Sequence, residues 1–314
     1  LLFFDEKIDH ARQRLSNHML NLAFEKSTLR LDKSPDFAVL SWHLGEGIMK
    51  PEVIAVLIVF ALFSFIEMWR VGLFKKAQAR AGDGTVELIS TLTLLIVTQP
   101  MILFVAFMLM SQFFPSYEGS LAGLAIWAQI GLLLIFDDML QYWWHRLSHT
   151  VPFLYKLHRP HHNAGYMSVR LVYRNSILYY MTMPSIWGSA VLVYLGLGWT
   201  YAFYIVVKLT VITGAHCDVQ WDAPLYKIKA LSPIMWVVER IISTPSTHSM
   251  HHGKHKADGI THYKGNYGNL LFFWDVLFGT AQITRQRPPE YGVEDLPDSS
   301  VGEQLLWPLV RVKS

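Results

Sequence analysis

Five stretches of this chain, 52–69, 86–114, 121–144, 177–198 and 199–214, are apolar for close to the ~20 residues that a bilayer crossing needs. Backbone inside a bilayer has to satisfy its own hydrogen bonds, so such stretches are helices. Pro100 interrupts the second and predicts a kink or a tilted span. Leu195-Gly196-Leu197-Gly198 separates the last two, which read as a tight hairpin of helices. Composition agrees: 16% of residues are charged, against roughly 25% in an ordinary soluble domain, and mean hydropathy is +0.26. The expected fold is all-α and polytopic, with about 4–5 transmembrane helices. Residues 51–283 are expected to form the membrane-embedded unit. The flanking parts are a peripheral segment, 1–50, with an amphipathic helix over 8–31, and a proline-bearing tail, 284–314, expected to be extended and solvated.

Ten of the 14 histidines fall in two short windows. His145, His149, His158, His161 and His162 fill one, and His248, His251, His252, His255 and His262 the other. Steps of three and four put side chains on one helix face, and neutral imidazole is the commonest metal ligand. The windows therefore read as metal-binding. Thr244-Pro245 looks like a cap and first helical residue, starting a short helix that carries His248, His251 and His252 and ends at Gly253. Pro160 lies inside its group, which places a helix start near Arg159.

The spans bring these groups together. Only eight residues separate His149 from His158, too few for a crossing, and an even number of crossings lies between His162 and His248. All the groups then meet at one membrane face, as a cap of short helices. Arg146, Lys156, Arg159, Arg170, Arg174, Lys75, Lys76, Lys227 and Lys254 share that face, while the opposite loops at 115–120 and 196–200 carry no Lys or Arg. By the positive-inside rule the histidine face is cytoplasmic. Residues 1–50 carry seven Lys/Arg and would lie outside. Either 52–69 is re-entrant, or the N-terminal region overrides the rule.

Ligand arithmetic follows. The eight clustered imidazoles and His216, just past the last span, make nine, more than the roughly four to six that one first-row ion takes. Two metals with four or five ligands each are implied, and nitrogen ligation suits iron, zinc, copper or nickel. A lone cysteine, Cys217, excludes a thiolate cage and an intrachain disulfide. No basic run points to nucleic acid. Leu1 with no signal-peptide pattern after it points to a natural start upstream.

The groups His145-Arg-Leu-Ser-His149, His158-Arg-Pro-His161-His162 and His248-Ser-Met-His251-His252 resemble the histidine boxes of the fatty acid hydroxylase/sterol desaturase superfamily. The lead-in Asp138-Met-Leu-Gln-Tyr-Trp-Trp-His145 and the stretch Asn266 to Thr280 resemble that family's neighbouring signatures. His216-Cys217-Asp218 matches a further family histidine, with Asp218 where Asn is usual. The likeness covers about 86–280, and Tyr173-Arg174-Asn175-Ser176 and His251-His252-Gly253-Lys254 point toward the alkylglycerol monooxygenase branch.

The resemblance implies an integral-membrane di-iron enzyme, in a bacterial inner membrane or endoplasmic reticulum, using O₂ to hydroxylate or desaturate a lipid C–H bond. Fatty acyl chains, sterols and alkylglycerols are all compatible substrates. With no GxGxxG fingerprint or haem module, electrons would come from outside, from a ferredoxin or cytochrome b5-type donor with its reductase. Zinc can substitute for iron in a purified sample. The alternatives are a zinc-loaded membrane hydrolase, disfavoured because no glutamate lies in any box, and a catalytically silent lipid-binding relative.

Among the other candidates, Asp138 is seven residues before His145, where it accepts the outer N–H of a ligand histidine or pairs with an arginine; Asp275 carries the same two readings. His216 is a ligand or an interfacial helix cap. His255 and His262 are solvent or outer groups, and His10, His18 and His43 surface residues. Glu67 and Lys208 are expected to snorkel, and the aromatics at 142–144 and 199–204 to form interfacial belts.

Overall fold

A computed structural model of the protein describes residues 51–74, 78–296 and 299–311. The expectations for 1–50, Lys75, Lys76 and Pro297 lie outside the described residues. The described residues are helical, with no strand beyond two isolated bridges, Ile242 with Leu271 and Gly253 with Tyr291.

Three helices are long and apolar enough to cross a membrane: Pro51–Arg70 (α1), Asp83–Phe113 (α2) and Pro184–His216. Proline governs the course of α2. Pro100 has no N–H to give to the preceding turn, and its ring crowds the carbonyl four residues back. Just before it, Leu94–Thr98 with Gln99 as their cap take up the misfit as a π-turn, closed by the Gln99 N–H donating to the Leu94 carbonyl.

The third apolar segment is two arms, Pro184–Leu192 (α6) and Gly198–His216 (α7). At Gly196 φ is +108°, a left-handed turn that a side chain resists. A Cβ there would also meet Ala122 N at 2.9 Å. Met183 and His216, the outer ends of the arms, line one cavity, so the chain doubles back as the Gly-rich spacer predicts.

A continuous helix over 126–150 (α3) follows the 114–125 loop, with a π-turn at Leu134–Met139. It begins five residues later than the apolar run and carries the buried Asp137 and Asp138. A Cβ on Gly188 would lie 2.5 Å from the Phe136 carbonyl oxygen. Glycine therefore lets α6 close directly onto this π-turn. After α3 come the short helices Pro152–His162 (α4), Ile177–Met181 (α5), Ala223–Lys227 (α8), Ser232–Ile241 (α9), Pro245–His251 (α10), Phe273–Leu277 (α11) and Val301–Leu306 (α12). In α9, Met235 and Glu239 are buried while Ile234, Trp236, Val237 and Ile241 are exposed, the two-faced pattern expected of an interfacial helix.

Four expectations are corrected. Glu67 does not snorkel: it is wholly buried, and its Oε2 accepts the Val169 and Asp218 N–H groups at 3.1 and 3.3 Å, tying α1 to the cap. Lys208 is buried too, its Nζ 2.6 Å from Asp137 Oδ2. Tyr142 and Tyr204 are core residues rather than belt residues, because α3 and α7 turn them inward, while Trp199 and Phe203 stay exposed. The described part of the tail is only partly solvated. It belongs to one compact unit, 52–314, in which Arg159 pairs with Glu303, Arg174 bonds Gln304, and Leu305 and Trp307 are buried. The Gly292 N–H donates to the His252 carbonyl, so the tail straps the cap.

Candidate metal centre

The cap is built where α3 ends. The end of α3 presents His145 and His149 one turn apart, and α4 starts three residues later with Pro152 in its first turn. That helix carries His158, His161 and His162 in its last turn and a half. Pro160 is therefore inside α4, not at its start: near the C-terminus a missing N–H costs one bond only. Thr244 begins α10 with a capping box to Thr247, and this helix delivers His248 and His251, with His252 as its cap residue. His216 is the last residue of α7.

These nine imidazoles form two groups. His145, His149, His158, His162 and His251 offer nitrogens all within 4.8 Å of one another, and so do His161, His216, His248 and His252. Neighbours in sequence are divided between groups: His161 and His162 point to different ones, as do His251 and His252, because adjacent helical residues diverge by about 100°.

The ring orientations are decisive for what the groups can hold. A carbonyl oxygen can only accept, so an Nδ1 beside one carries the proton. His145 Nδ1 donates to the Tyr267 carbonyl at 2.7 Å and His251 Nδ1 to the Gly265 carbonyl at 2.7 Å. In the other group His161 Nδ1 donates to Leu171 O at 3.0 Å and His216 Nδ1 to Ile212 O at 2.8 Å. Their Nε2 atoms are then bare lone pairs, yet they face each other: His145 and His251 at 2.9 Å, His161 and His216 at 3.3 Å. Two lone pairs at that distance repel unless a cation lies between or beside them. Each group contains one such pair, and the buried His149 Nε2 has no hydrogen-bond partner. The donor set fits a transition metal in each group.

Electrostatics favour the metal-ready form. Burial first, then the neighbouring imidazoles, hold His158, His161, His162, His248, His251 and His252 well below the ordinary histidine range. Neutral imidazole is the form that binds metals. His158 is fixed by a side chain instead of a carbonyl: its Nδ1 is 2.8 Å from Asn175 Oδ1, and Asn175 Nδ2 donates to the Tyr180 hydroxyl. A cavity of about 30 Å³ touches both groups through His145, His158, His161 and His216, room for a molecule the size of water or dioxygen.

Neither Asp138 nor Asp275 bonds a clustered histidine, which corrects the first reading of both. Asp138 faces away along α3 and accepts from Leu271 N and Trp274 Nε1 at 3.1 and 2.8 Å. Asp275 accepts from Tyr267 N, Gly268 N and the Thr280 hydroxyl, at 2.8, 2.6 and 2.6 Å. Both shape the 265–280 loop, whose carbonyls at Gly265 and Tyr267 orient His251 and His145. His255 is half-exposed against Glu294 and Glu290, and His262 lies by the Thr280 carbonyl; neither joins a group. Sequence reasoning missed Asn175 as an orienting group, although it sits in the quoted 173–176 motif. The orienting carbonyls carry no side-chain signature at all.

Residues 130–280, just under half of the chain, match the family model described as fatty acid hydroxylase, and all nine histidines lie in that stretch. That stretch is similar to the fatty acid hydroxylase family. Human alkylglycerol monooxygenase is 27% identical over 150 residues, which cover 48% of this chain and 30% of that protein. The ornithine lipid hydroxylase of Rhizobium tropici is 31% identical over 160 residues, 48% of this chain and 41% of the relative. The alternative squalene epoxidase of Phaeodactylum tricornutum is 26% identical over 178 residues, 55% and 44% of the two chains. The matched stretches thus span less than half the length of each of these relatives. No solved structure matches the chain. The matched stretch holds both histidine groups, the loop that orients them and the cavity between them.

Proposed function

We propose that the protein is an integral-membrane oxygenase that holds two irons on its nine imidazoles and hydroxylates a C–H bond of a lipid. His145, His149, His158, His162 and His251 hold one iron, and His161, His216, His248 and His252 the other. The bound metals supply the redox chemistry that activates O₂ toward an unactivated C–H bond. The chain's own residues do the rest. Carbonyls of Gly265, Tyr267, Leu171 and Ile212 keep the proton on Nδ1 and leave Nε2 free. Asp138 and Asp275 position the loop that provides two of those carbonyls. Burial of the cluster excludes bulk water, which shields reactive species from side reactions. The histidine face is cytoplasmic, and an external ferredoxin or cytochrome b5-type donor brings electrons to it.

The observation that carries this reading is the pair of facing bare Nε2 atoms in each group, within a domain whose relatives include lipid hydroxylases and monooxygenases. Lipids from cells expressing the wild type or His161→Ala under ¹⁸O₂ provide the test. A labelled lipid made only by the wild type is expected. A desaturated, unlabelled product would replace hydroxylation with desaturation, and an active protein carrying two zincs would sink the di-iron assignment.

A further inference from the structure

The apolar bundle contains charge that the metal centre does not account for. Along α3 the residues Gln129, Asp137, Gln141 and His145 recur at steps of four or eight; along α7, Thr200, Tyr204, Lys208 and His216 do the same. Each step of four brings the next side chain one turn on, rotated by only ~40°. The two faces meet. Thr200 Oγ1 donates to Gln129 Oε1, and Lys208 Nζ sits 2.6 Å from Asp137 Oδ2. Lys208 also lies over the Tyr204 ring, 5.7 Å from its centroid. Each series ends on a clustered histidine, His145 in one group and His216 in the other.

Two features single this line out from ordinary packing. Asp137 and Lys208 are each about 95% buried in a bundle of apolar helices, where ionised groups are costly and mark sites of function. Asp137 lies on the π-turn Leu134–Met139, a widened turn of the kind found at functional sites. Toward the metal end, Gln141 lines the cavity and its buried Oε1 has no partner. Tyr204 lies against Asp137 itself, and Asp138 Oδ1, beside the ion pair, is buried and without a hydrogen-bond partner. At ~1.5 Å per residue, Lys208 stands ~12 Å from His216 along its helix and Thr200 ~24 Å.

We propose that the Asp137–Lys208 pair is a proton-delivery site, which feeds protons past Gln141 to the cavity between the histidine groups and is recharged past Tyr204 and the Thr200–Gln129 contact. This rests on the oxygenase reading. Hydroxylation takes one lipid C–H, one O₂, two electrons from the external one-electron donor protein and two protons. The C–H bond becomes C–O–H with one oxygen atom. The other oxygen leaves as water, taking up both protons. A centre closed off from bulk water has to be supplied with those protons by the protein. The ionisable groups facing the pair are Asp138 on α3 and Tyr201 and Tyr204 on α7.

The test separates proton delivery from a structural pin. Replacing a buried ion pair by apolar residues of similar volume is often neutral or stabilising, so Asp137→Leu/Lys208→Met is expected to fold and to hold the wild-type metal content. Purified holoprotein in nanodiscs is driven with dithionite-reduced ferredoxin, and O₂ consumption is read in H₂O and D₂O. The double variant is expected to consume O₂ about 10²-fold more slowly, with a larger solvent isotope effect, and Asp137→Glu to recover most of the rate. As a readout independent of turnover, infrared difference spectra between oxidised and reduced protein are expected to contain a carboxyl C=O band that Asp137→Asn abolishes and Asp138→Asn keeps. Wild-type consumption and isotope effect in the double variant, or a band indifferent to Asp137→Asn, would overturn the proposal. Absence of O₂ consumption by the wild type itself would instead overturn the oxygenase reading.

Discussion

The two histidine groups differ in number, origin and shelter. One gathers five imidazoles from α3, α4 and α10, and its His149 is half-buried. The other gathers four, all buried, and relies on His216 at the end of the α7 arm as well as on α4 and α10. A five-membered set that loses one imidazole still has the four that fill a tetrahedral site, whereas a four-membered set falls to three. Redundancy sits on the more open side, and dependence on the closed one. The groups are therefore unequal partners despite their shared helices.

The largest effect expected from that inequality is on metal content. His248→Ala leaves the second group with three ligands, and purified protein should fall from about two metals per chain to about one. Elemental analysis reads this directly. If His248→Ala keeps both metals, the four-ligand set is not a separate site.

Acid is expected to act on both groups. The folded pKa values of the α4 and α10 histidines are lowered by burial, so below the unfolded histidine pKa of about 6.5 the unfolded chain binds more protons than the folded one. Stability of the metal-free protein is then fully present above that pH and is lost as pH falls through it, by up to roughly 1.4 kcal/mol per pH unit per histidine. Thermal melts of the chelator-treated protein between pH 8 and 5 should show a steep fall at the acid end; a flat profile would mean that the imidazoles are not held neutral. Bound metal should move the fall to lower pH, because protons then compete with it for the same nitrogens.

A third effect should single out the five-membered group. Asp275→Asn weakens the carboxylate's hold on Tyr267 N, Gly268 N and the Thr280 hydroxyl, and loosens the carbonyls that orient His145 and His251. Affinity for that metal is expected to drop about 10–100-fold, the usual cost of losing an outer partner, with the other site unchanged. Chelator competition followed by metal type resolves the two. Equal loss at both sites would show that the loop serves the cap as a whole.

What the sequence made legible follows from how each feature is encoded. Spacing survives as letters, so the nine imidazoles and the hairpin at Gly196 were readable, and so was the helix start at Thr244. The division into five and four was not, since it depends on where adjacent ring vectors point. His161 and His162 look equivalent in the sequence and belong to different groups. The orienting atoms are mostly backbone carbonyls, which every residue has, and so Gly265, Tyr267, Leu171 and Ile212 gave no signal. Asp137 and Lys208 read as isolated charges 71 residues apart. Only the packing of α3 against α7 turns Lys208 from an expected snorkeler into half of a buried pair. The tail failed for the opposite reason: proline-bearing chain can strap a surface as well as leave it.

The smallest effect tests the comparison most finely. His149 is the partly exposed member of the five, its ring edge-on to Tyr155 and tilted against Tyr267, and its removal leaves His145, His158, His162 and His251 as a full tetrahedral set. His149→Ala should keep about two metals per chain and lower affinity at the first site only. The Tyr155 and Tyr267 rings lose an edge contact worth about 0.5–1.5 kcal/mol, so the melting temperature should shift by a few degrees at most. Loss of a whole metal from His149→Ala, matching His248→Ala, would show that the fifth imidazole is no reserve. The asymmetry between the groups would then lie in exposure alone.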